Sequence, residues 1–219
     1  MSAPDAATWS EPAPTPTPFQ LDTSPTGDVL TYFADRGPHG EVALVSPGGG
    51  TRVLYDLPAI VNPFAEPGPV YDWPPDAYVV TGHLDGQWAV FDIAISESFH
   101  AGSQMIVELV AVNLTTGVVR TVRPLLPVEQ LTTLSITAWV VLDGAVYWSE
   151  TSGDGVLDMI YVFTGPSTIY RFDLNSNQQT IVAANVQLRQ TNGPFVDGPR
   201  IVNGAVSWVT ADGVTHWYG

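Results

Sequence analysis

The residues of this chain that could do acid–base chemistry are carboxylates at predicted tight turns. Asp28, Asp85, Asp143 and Asp212 all lie at predicted hairpins. Two carboxylates held roughly 5–10 Å apart are the acid and base of most glycoside hydrolases. Aspartate is also common in turns because its side chain accepts hydrogen bonds from nearby backbone N–H groups. The sequence therefore allows a glycoside hydrolase but does not require one.

Two further carboxylates are spaced closely enough to suggest a metal site. Asp154 and Asp158 both lie within the short polar segment 152–158. Carboxylate oxygens are the ligands that Ca²⁺ prefers, although this segment lacks the alternating acids and the terminal Glu of an EF-hand loop. We expect no cofactor, with calcium bound at Asp154 and Asp158 as the alternative.

Aromatic and imidazole side chains mark the predicted binding surface. Tyr71 and Trp73 lie in the Pro-rich segment 67–75, where a loop between repeats is expected. Exposed aromatic side chains beside acids suit the recognition of sugars or of peptides. His83 and Asp85 lie near a predicted inner hairpin. We therefore predict that Tyr71, Trp73, His83 and Asp85 bind a ligand.

Other catalytic motifs do not occur in the sequence. The chain contains no cysteine, so thiolate nucleophiles, thiolate metal sites and disulfides are excluded. It contains no G-x-S-x-G nucleophile elbow, and its Gly-rich segment 47–50 is not followed by the helix and Lys of a phosphate-binding loop. These observations favour a binding protein over an enzyme.

The charge balance narrows the range of partners. The chain has 22 acidic residues against 7 basic ones, all of them Arg, and its net charge is −15. This charge repels phosphate backbones and anionic lipid surfaces, so we predict no nucleic-acid partner. The apolar runs are too short to span a bilayer, so we expect no direct membrane insertion.

The composition changes sharply near residue 18. Residues 1–18 contain five prolines among Ala and Thr, a composition typical of an extended tether. Such segments often separate a cell-surface anchor from a folded extracellular domain. We predict a tether at 1–18 and a folded domain at 19–219, located outside the cell or on its surface.

A repeat organises the predicted domain. Gly27, Gly86, Gly144 and Gly204 each precede an apolar run and lie 59, 58 and 60 residues apart. Each unit would supply about four strands, while single helical turns are expected only at 125–133 and 184–191. The predicted strands include Glu41–Val45 in the first unit, Ala77–Gly82 in the second, and Leu134–Leu142, Ala145–Glu150, Thr168–Leu174 and Gln179–Ala183 in the third.

A repeat of four short strands predicts an all-β fold and favours a β-propeller of about four blades of roughly 59 residues. The alternative is a β-sandwich, which has similar strands but does not require the repeat. Four full units would extend beyond residue 219, so the ring is either incomplete or closed in another way. If the chain closes its own ring, Thr8–Glu11 should pair with Val214–Tyr218 and bury Trp9.

The third unit also resembles a known group of repeats. Tyr147-Trp148-Ser149-Glu150, followed by Ile169-Tyr170-Arg171-Phe172-Asp173-Leu174-Asn175, is similar to the blades of extracytoplasmic YWTD and TolB-like β-propellers. The resemblance covers about a quarter of the chain, and it implies a propeller fold and secretion without identifying a ligand.

Taken together, these features predict an extracytoplasmic β-propeller that acts as a binding or scaffold module for a protein or carbohydrate partner. One alternative is a propeller glycoside hydrolase that uses axial carboxylates. Another is a structural subunit of a cell-envelope or virion assembly, in which the chain would form an oligomer or part of a larger complex.

Overall fold

A computed structural model describes residues 18–37, 39–60, 77–96, 104–131, 133–153, 155–157, 160–190 and 196–218. This part of the chain is built almost entirely of antiparallel β-strands. Its only helix is the single turn α1, Val128–Leu131, which confirms one of the two helical turns expected from the sequence. The other expectation, at 184–191, is wrong, because strand pairing continues through that region.

The first sheet, here called unit 1, contains four strands in sequential order. These are β1 (Phe19–Thr23), β2 (Val29–Phe33), β3 (Glu41–Val45) and β4 (Thr51–Asp56).

The second and third units join into one larger sheet through a single residue pair, Ile106 with Ile136. Unit 2 contains β5 (Gly82–Asp85), β6 (Trp88–Ser96), β7 (Gln104–Asn113) and β8 (Val119–Arg123). Unit 3 contains β9 (Leu134–Leu142), β10 (Ala145–Ser152), β13 (Ser167–Asp173) and β14 (Gln178–Val186). A separate short hairpin, β11 (Gly155–Leu157) and β12 (Ile160–Val162), lies between β10 and β13 in the sequence.

Unit 4 has three strands in the described part of the chain. These are β15 (Arg200–Val202), β16 (Ala205–Val209) and β17 (Thr215–Tyr218), paired in that order.

The repeated glycines explain why the hairpins form at regular intervals. Gly27, Gly86, Gly144 and Gly204 all have positive φ, a backbone conformation that glycine adopts without a steric penalty. Asp143 and Asn203 also have positive φ, which gives the two-residue Asp-Gly and Asn-Gly turns that favour antiparallel hairpins. The strand after each glycine is the second strand of its unit.

The four units pack face to face in chain order. One core cluster joins unit 1 to unit 2, with Leu30 and Phe91 fully buried in it. A second joins units 2 and 3 around Trp148. Two smaller clusters join units 3 and 4, including the contact of Tyr147 with Val206.

The buried positions of the repeat agree with this packing in three units. Val90, Val146 and Val206 are buried, as their place after the repeated glycines suggests. Val29 is only partly buried, and the neighbouring Leu30 fills the core in its place.

The all-β class is confirmed, and the arrangement of sheets is compatible with both the propeller and the sandwich. Residues 1–17 of the predicted tether, including Trp9, lie outside the described residues. Among the residues described, no helix is both long and apolar enough to cross a membrane.

Candidate functional site

The interface between units 1 and 2 is closed by two polar links. The carboxylate of Asp22, in the first strand of unit 1, accepts a hydrogen bond from the N–H of Leu84 at 2.7 Å. Arg52, in the fourth strand, donates to the carbonyl oxygen of Leu114 in unit 2, also at 2.7 Å. An aspartate on the first strand and an arginine on the fourth strand thus bind backbone groups of the next unit.

The same pattern returns between units 2 and 3. Asp85, at the end of β5, accepts a hydrogen bond from the N–H of Gly144 at 2.6 Å. Arg120, on β8, donates to the carbonyl oxygen of Asn175 at 3.3 Å, and its guanidinium lies over the ring of Trp88.

A buried carboxylate adds a third link between these two units. Asp92, on β6, is fully buried and accepts hydrogen bonds from the backbone N–H groups of Val80 and Thr81. Its other oxygen accepts from the indole N–H of Trp139, in unit 3, at 3.1 Å. Burial raises the pKa of Asp92 above its ordinary value, while these hydrogen bonds act in the opposite direction.

An ion pair completes the interface of units 2 and 3. Arg123, on β8, donates to Glu150, on β10, at 2.7 Å, and both side chains are largely buried. The indole N–H of Trp148 donates to the same oxygen of Glu150 at 3.2 Å. One oxygen of Glu150 accepts both hydrogen bonds. The loss of either donor therefore leaves this largely buried carboxylate only partly satisfied.

The two predicted binding residues that the structure describes lie at this interface. The ring of His83 packs edge-on against Trp139, with 5.1 Å between ring centroids. Asp85 holds the N–H of Gly144, as described above. The structure thus gives both residues contacts between units, and their role in ligand binding stays a prediction.

The other predicted site residues cannot be placed. Tyr71, Trp73, Asp154 and Asp158 lie outside the described residues, so the aromatic loop and the calcium site stay predictions. Within the described residues, no group of three or more His, Asp or Glu side chains is arranged to hold a metal ion.

The pattern of polar links changes between units 3 and 4. In the strand ladder, Asp85 pairs with Trp88 across its turn, and the matching pair in unit 3 is Leu142 with Ala145. The structural equivalent of Asp85 is therefore Leu142, which has no side-chain acceptor. Asp143, which the sequence aligns with Asp85, lies in the turn itself and is exposed.

The arginine of the pattern is also displaced by one strand. Asn113 and Asp173 accept hydrogen bonds from the turns that follow them in the same way, so they mark equivalent positions. From these positions, the pair Ala111 and Arg120 of unit 2 corresponds to Arg171 and Thr180 of unit 3. Arg171 therefore lies on the third strand.

A cleft of about 180 Å³ lies between units 3 and 4 where the missing links would have been. Its lining comes from the hairpin turns and central strands of the two units: Leu142, Asp143, Tyr147, Arg171, Gly204, Ala205 and Tyr218.

Hydrogen bonds within unit 3 fix the polar wall of the cleft. Arg171 donates to the hydroxyl of Tyr147 at 3.3 Å and to the carboxylate of Asp173 at 2.9 Å. Hydrogen bonds from Ser176 and Arg171 lower the pKa of Asp173 to about 2. The ion pair of Asp173 with Arg171 is therefore present at neutral pH and holds the guanidinium against the cleft.

Two aromatic rings also line the cleft. Tyr147 and Tyr218 meet edge to face, with 5.5 Å between ring centroids. Tyr147 is buried, whereas Tyr218 remains 39% exposed. A guanidinium beside an aromatic ring offers both hydrogen-bond donors and apolar contact area to a bound group.

The cleft is small. Its volume is below the roughly 300–1,000 Å³ typical of sites for drug-sized ligands, so it suits one side chain or one sugar ring. Of the four turn carboxylates of the hydrolase alternative, Asp143 lines the cleft, whereas Asp28 accepts a hydrogen bond from Thr26, Asp85 from Gly144 and Asp212 from Thr210.

A row of hydroxyl groups lies farther along β10 on the same face. Thr137 contacts both Ser149 and Thr151, at 2.9 and 3.0 Å, and Thr151 contacts Ser167 at 2.8 Å. Gly198 packs directly above them, because an added Cβ atom there would lie 2.6 Å from the Ser149 hydroxyl oxygen. This hydroxyl row closes the interface at that end, and the cleft lies at the other.

A second depression of about 460 Å³ is lined by the segment after β14, including Gln187, Arg189 and Gln190. The guanidinium of Arg189 is paired with Asp197. Residues 191–195, which follow Gln190 in the sequence, lie outside the described residues.

Sequence reasoning did not select Tyr147, Arg171 or Tyr218 as site residues. Tyr147 and Arg171 belong to the motif that suggested the fold, and a signal for their second role exists in the sequence. Units 1 and 2 carry an Arg in the fourth strand, at positions 52 and 120, whereas unit 3 carries Thr180 there.

Comparison with known proteins adds no family to this picture. No protein-family model matches the sequence, and no curated protein matches it. The argument for function therefore rests on the geometry of the site.

Proposed function

We propose that this protein is a β-propeller binding module that acts outside the cytoplasm and recognises a partner protein through the cleft between units 3 and 4. The observation that carries this proposal is the loss of the polar links at one interface of a repeated structure. Where Asp85 and Arg120 bind the next unit, unit 3 presents Leu142 and an arginine turned towards an open cleft.

The propeller part of the proposal rests on the stacking of four antiparallel units in chain order. In a propeller, the first strands of all units surround one axis and the fourth strands lie far from it. In a layered sandwich, the separation of two sheets is similar along their whole width.

Spin labels can distinguish these architectures, because the chain contains no native cysteine. One pair of labels would replace Thr26 and Asp143, at the first hairpins of units 1 and 3. The other pair would replace Thr51 and Gln178, at the fourth strands, and all four positions are exposed. A propeller predicts a shorter distance for the first pair, whereas equal distances would contradict it.

The extracytoplasmic part of the proposal rests on the Pro-rich composition of residues 1–18 and on the resemblance of the third unit to extracytoplasmic propeller blades, and the binding argument does not need it.

The binding proposal can be tested with a phage library of random 12-residue peptides. We expect selected peptides to lose at least tenfold in affinity for the Arg171→Gln and Tyr218→Ala variants. Arg189→Gln is the matched control, since it also removes a paired arginine but lies outside the cleft. Peptides that bind all variants equally, or a failure to select any peptide, would contradict the proposal.

A carbohydrate partner is the second candidate, because Tyr218 and Asp143 place an exposed ring beside a carboxylate at the mouth of the cleft. Binding to an immobilised glycan array that depends on Tyr218, without any selected peptide, would favour this candidate. Measurement of the molecular mass in solution would show whether the chain is instead part of an oligomer.

A further inference from the structure

Within the described residues, no strand pairs with the outer edge of the third strand of unit 4. In units 1, 2 and 3 the third strands, β3, β7 and β13, each pair with a fourth strand. In unit 4 all four residues of β17 are exposed, and no described strand pairs with its outer edge.

Backbone hydrogen bonding shows which groups that edge presents. The N–H of Thr210 donates to the carbonyl oxygen of Val214 at 3.0 Å, so this pair at the turn is hydrogen-bonded. Bonded and non-bonded pairs alternate along an antiparallel ladder. The peptide groups of Thr215 and Trp217 therefore face outwards, and those of His216 and Tyr218 face β16.

The side chains on the two faces of β17 differ in their surroundings. Tyr218 lies beside Tyr147 at the mouth of the cleft. Trp217 pairs with Ser207 on the other face and is 54% exposed. A strand added at this edge would place alternate side chains in the cleft and against Trp217.

The charge of the protein indicates the chemistry of such a strand. The net charge of −15 disfavours a second copy of this chain. Five prolines in residues 1–18 disfavour regular pairing of that segment, because proline lacks the N–H needed for a ladder. The fourth strands of units 1 and 2 contain both apolar residues and Arg, as in Val119–Arg123.

We propose that β17 binds an extended, basic and apolar segment of another protein by β-strand addition, with one of its side chains entering the cleft between units 3 and 4. This inference rests on the proposed binding function and specifies how the partner is held. Main-chain hydrogen bonds to Thr215 and Trp217 supply affinity, while the cleft and the acidic surface select the side chains.

The probe is a synthetic peptide that copies residues 117–124 of this chain, Gly-Val-Val-Arg-Thr-Val-Arg-Pro. Amide hydrogen exchange of the full chain is followed residue by residue by NMR, with and without the peptide. We expect exchange at Thr215 and Trp217 to slow at least tenfold, while His216 and Tyr218, already bonded to β16, change little.

Two matched peptides test the mode of recognition and the charge. Alternate residues of the peptide can be N-methylated in two ways, one on each set of N–H groups. Methylation of the set that faces β17 should abolish binding, and methylation of the other set should leave it intact. A peptide with both arginines replaced by aspartate should bind at least tenfold more weakly.

Two outcomes would overturn strand addition while leaving the proposed function standing. One is a change in the NMR signals of Tyr147 and Arg171 without protection of Thr215 and Trp217. The other is slow exchange of both amides before any peptide is added. If the molecular mass in solution is then twice that of the chain, a second copy covers the edge of β17; if it is not, residues 1–17 cover it. Absence of any change on addition of the peptide would overturn strand addition, while the phage selection described above decides the proposed function separately.

Discussion

The interface between units 2 and 3 is joined by side-chain hydrogen bonds along its length, whereas that between units 3 and 4 is joined by apolar contacts and backbone bridges. On the first, Asp85, Asp92 and Arg123 each bind a group of the next unit. On the second, the side-chain hydrogen bonds within the described residues are those of Arg189 with Asp197, in the segment that connects the two units. Its other polar contacts are backbone ones, from Arg189 to Val209 and from Ala211 to Gln187.

This difference shows how one repeat can serve both stability and recognition. At the interface of units 2 and 3, several polar side chains are already bound to groups of the next unit and are therefore not available to a ligand. Unit 3 has Leu142 where unit 2 has Asp85, so the carboxylate that would accept a hydrogen bond from the next unit is missing. Gly204, the counterpart of Gly144 in unit 4, instead lines the cleft. The arginine that moved to β13 then becomes available to that cleft.

The largest expected effect comes from Asp92→Ala, at the closed interface. It removes the acceptor of three donors, the buried indole N–H of Trp139 and the part-buried backbone N–H groups of Val80 and Thr81, and an unsatisfied buried group costs about 1–3 kcal/mol. We expect the free energy of unfolding to fall by about 4 kcal/mol in urea titrations. Asp143→Asn, at the open interface, is the control: Asn tolerates the positive φ of this position, so the change should be less than about 0.5 kcal/mol.

The ion pair between units 2 and 3 should contribute more to stability than the ion pair between units 3 and 4. Arg123→Ala leaves the largely buried Glu150 without its cation, and we expect a loss of about 3 kcal/mol in the free energy of unfolding. Arg189→Ala breaks the more exposed pair with Asp197 and should cost less than about 1 kcal/mol. Equal losses in chemical denaturation would mean that the two interfaces are not as different as their burial indicates.

Exchanging one residue between the interfaces should exchange their properties. Asp85→Leu removes the acceptor of the Gly144 N–H, and we expect it to lower the free energy of unfolding by about 1–2 kcal/mol. Leu142→Asp should provide an acceptor near Gly204 and narrow the cleft, with a stability change below about 1 kcal/mol. If Leu142→Asp leaves the affinity for selected peptides unchanged, the cleft is not where they bind.

The smallest expected effect is a pH dependence at the cleft. The pKa of Asp173 is lowered to about 2 in the folded protein, below its ordinary value of 3.8. Its contribution to stability is therefore present above about pH 4 and is lost as the pH falls through 2. In thermal unfolding, Asp173→Asn should lower the melting temperature at pH 7, and this difference should disappear at pH 2.

Much of the fold follows from the sequence because the turn glycines and apolar runs act locally. The strands Glu41–Val45 and Leu134–Leu142 were predicted with the bounds that the structure gives. Strand β1 was not predicted, since its residues, Phe19–Thr23, are largely exposed and form a strand through pairing with β2. A strand predicted at Ala77–Gly82 proves to begin at Gly82, with a single bridge at Tyr78 before it.

The candidate site was much less predictable, for a physical reason. The sequence aligns Asp85 with Asp143 because each precedes a glycine, but the two hairpins place their turns one residue apart. A shift of one residue in a strand moves a side chain to the opposite face or out of the ladder. The loss of the link, and with it the cleft, therefore depends on a register that composition and spacing do not reveal.

The hydroxyl row of unit 3 has a consequence for the placement of protons. Its four groups, on Ser149, Thr137, Thr151 and Ser167, make three contacts in a line, and each hydroxyl carries a single proton. Three protons are used within the line, so one hydroxyl always keeps a proton for an acceptor outside it. Which one does so is set jointly, because reversing one bond obliges its neighbours to turn. Replacing Thr137 by Val would divide the line and leave Ser149 and Thr151 to orient independently.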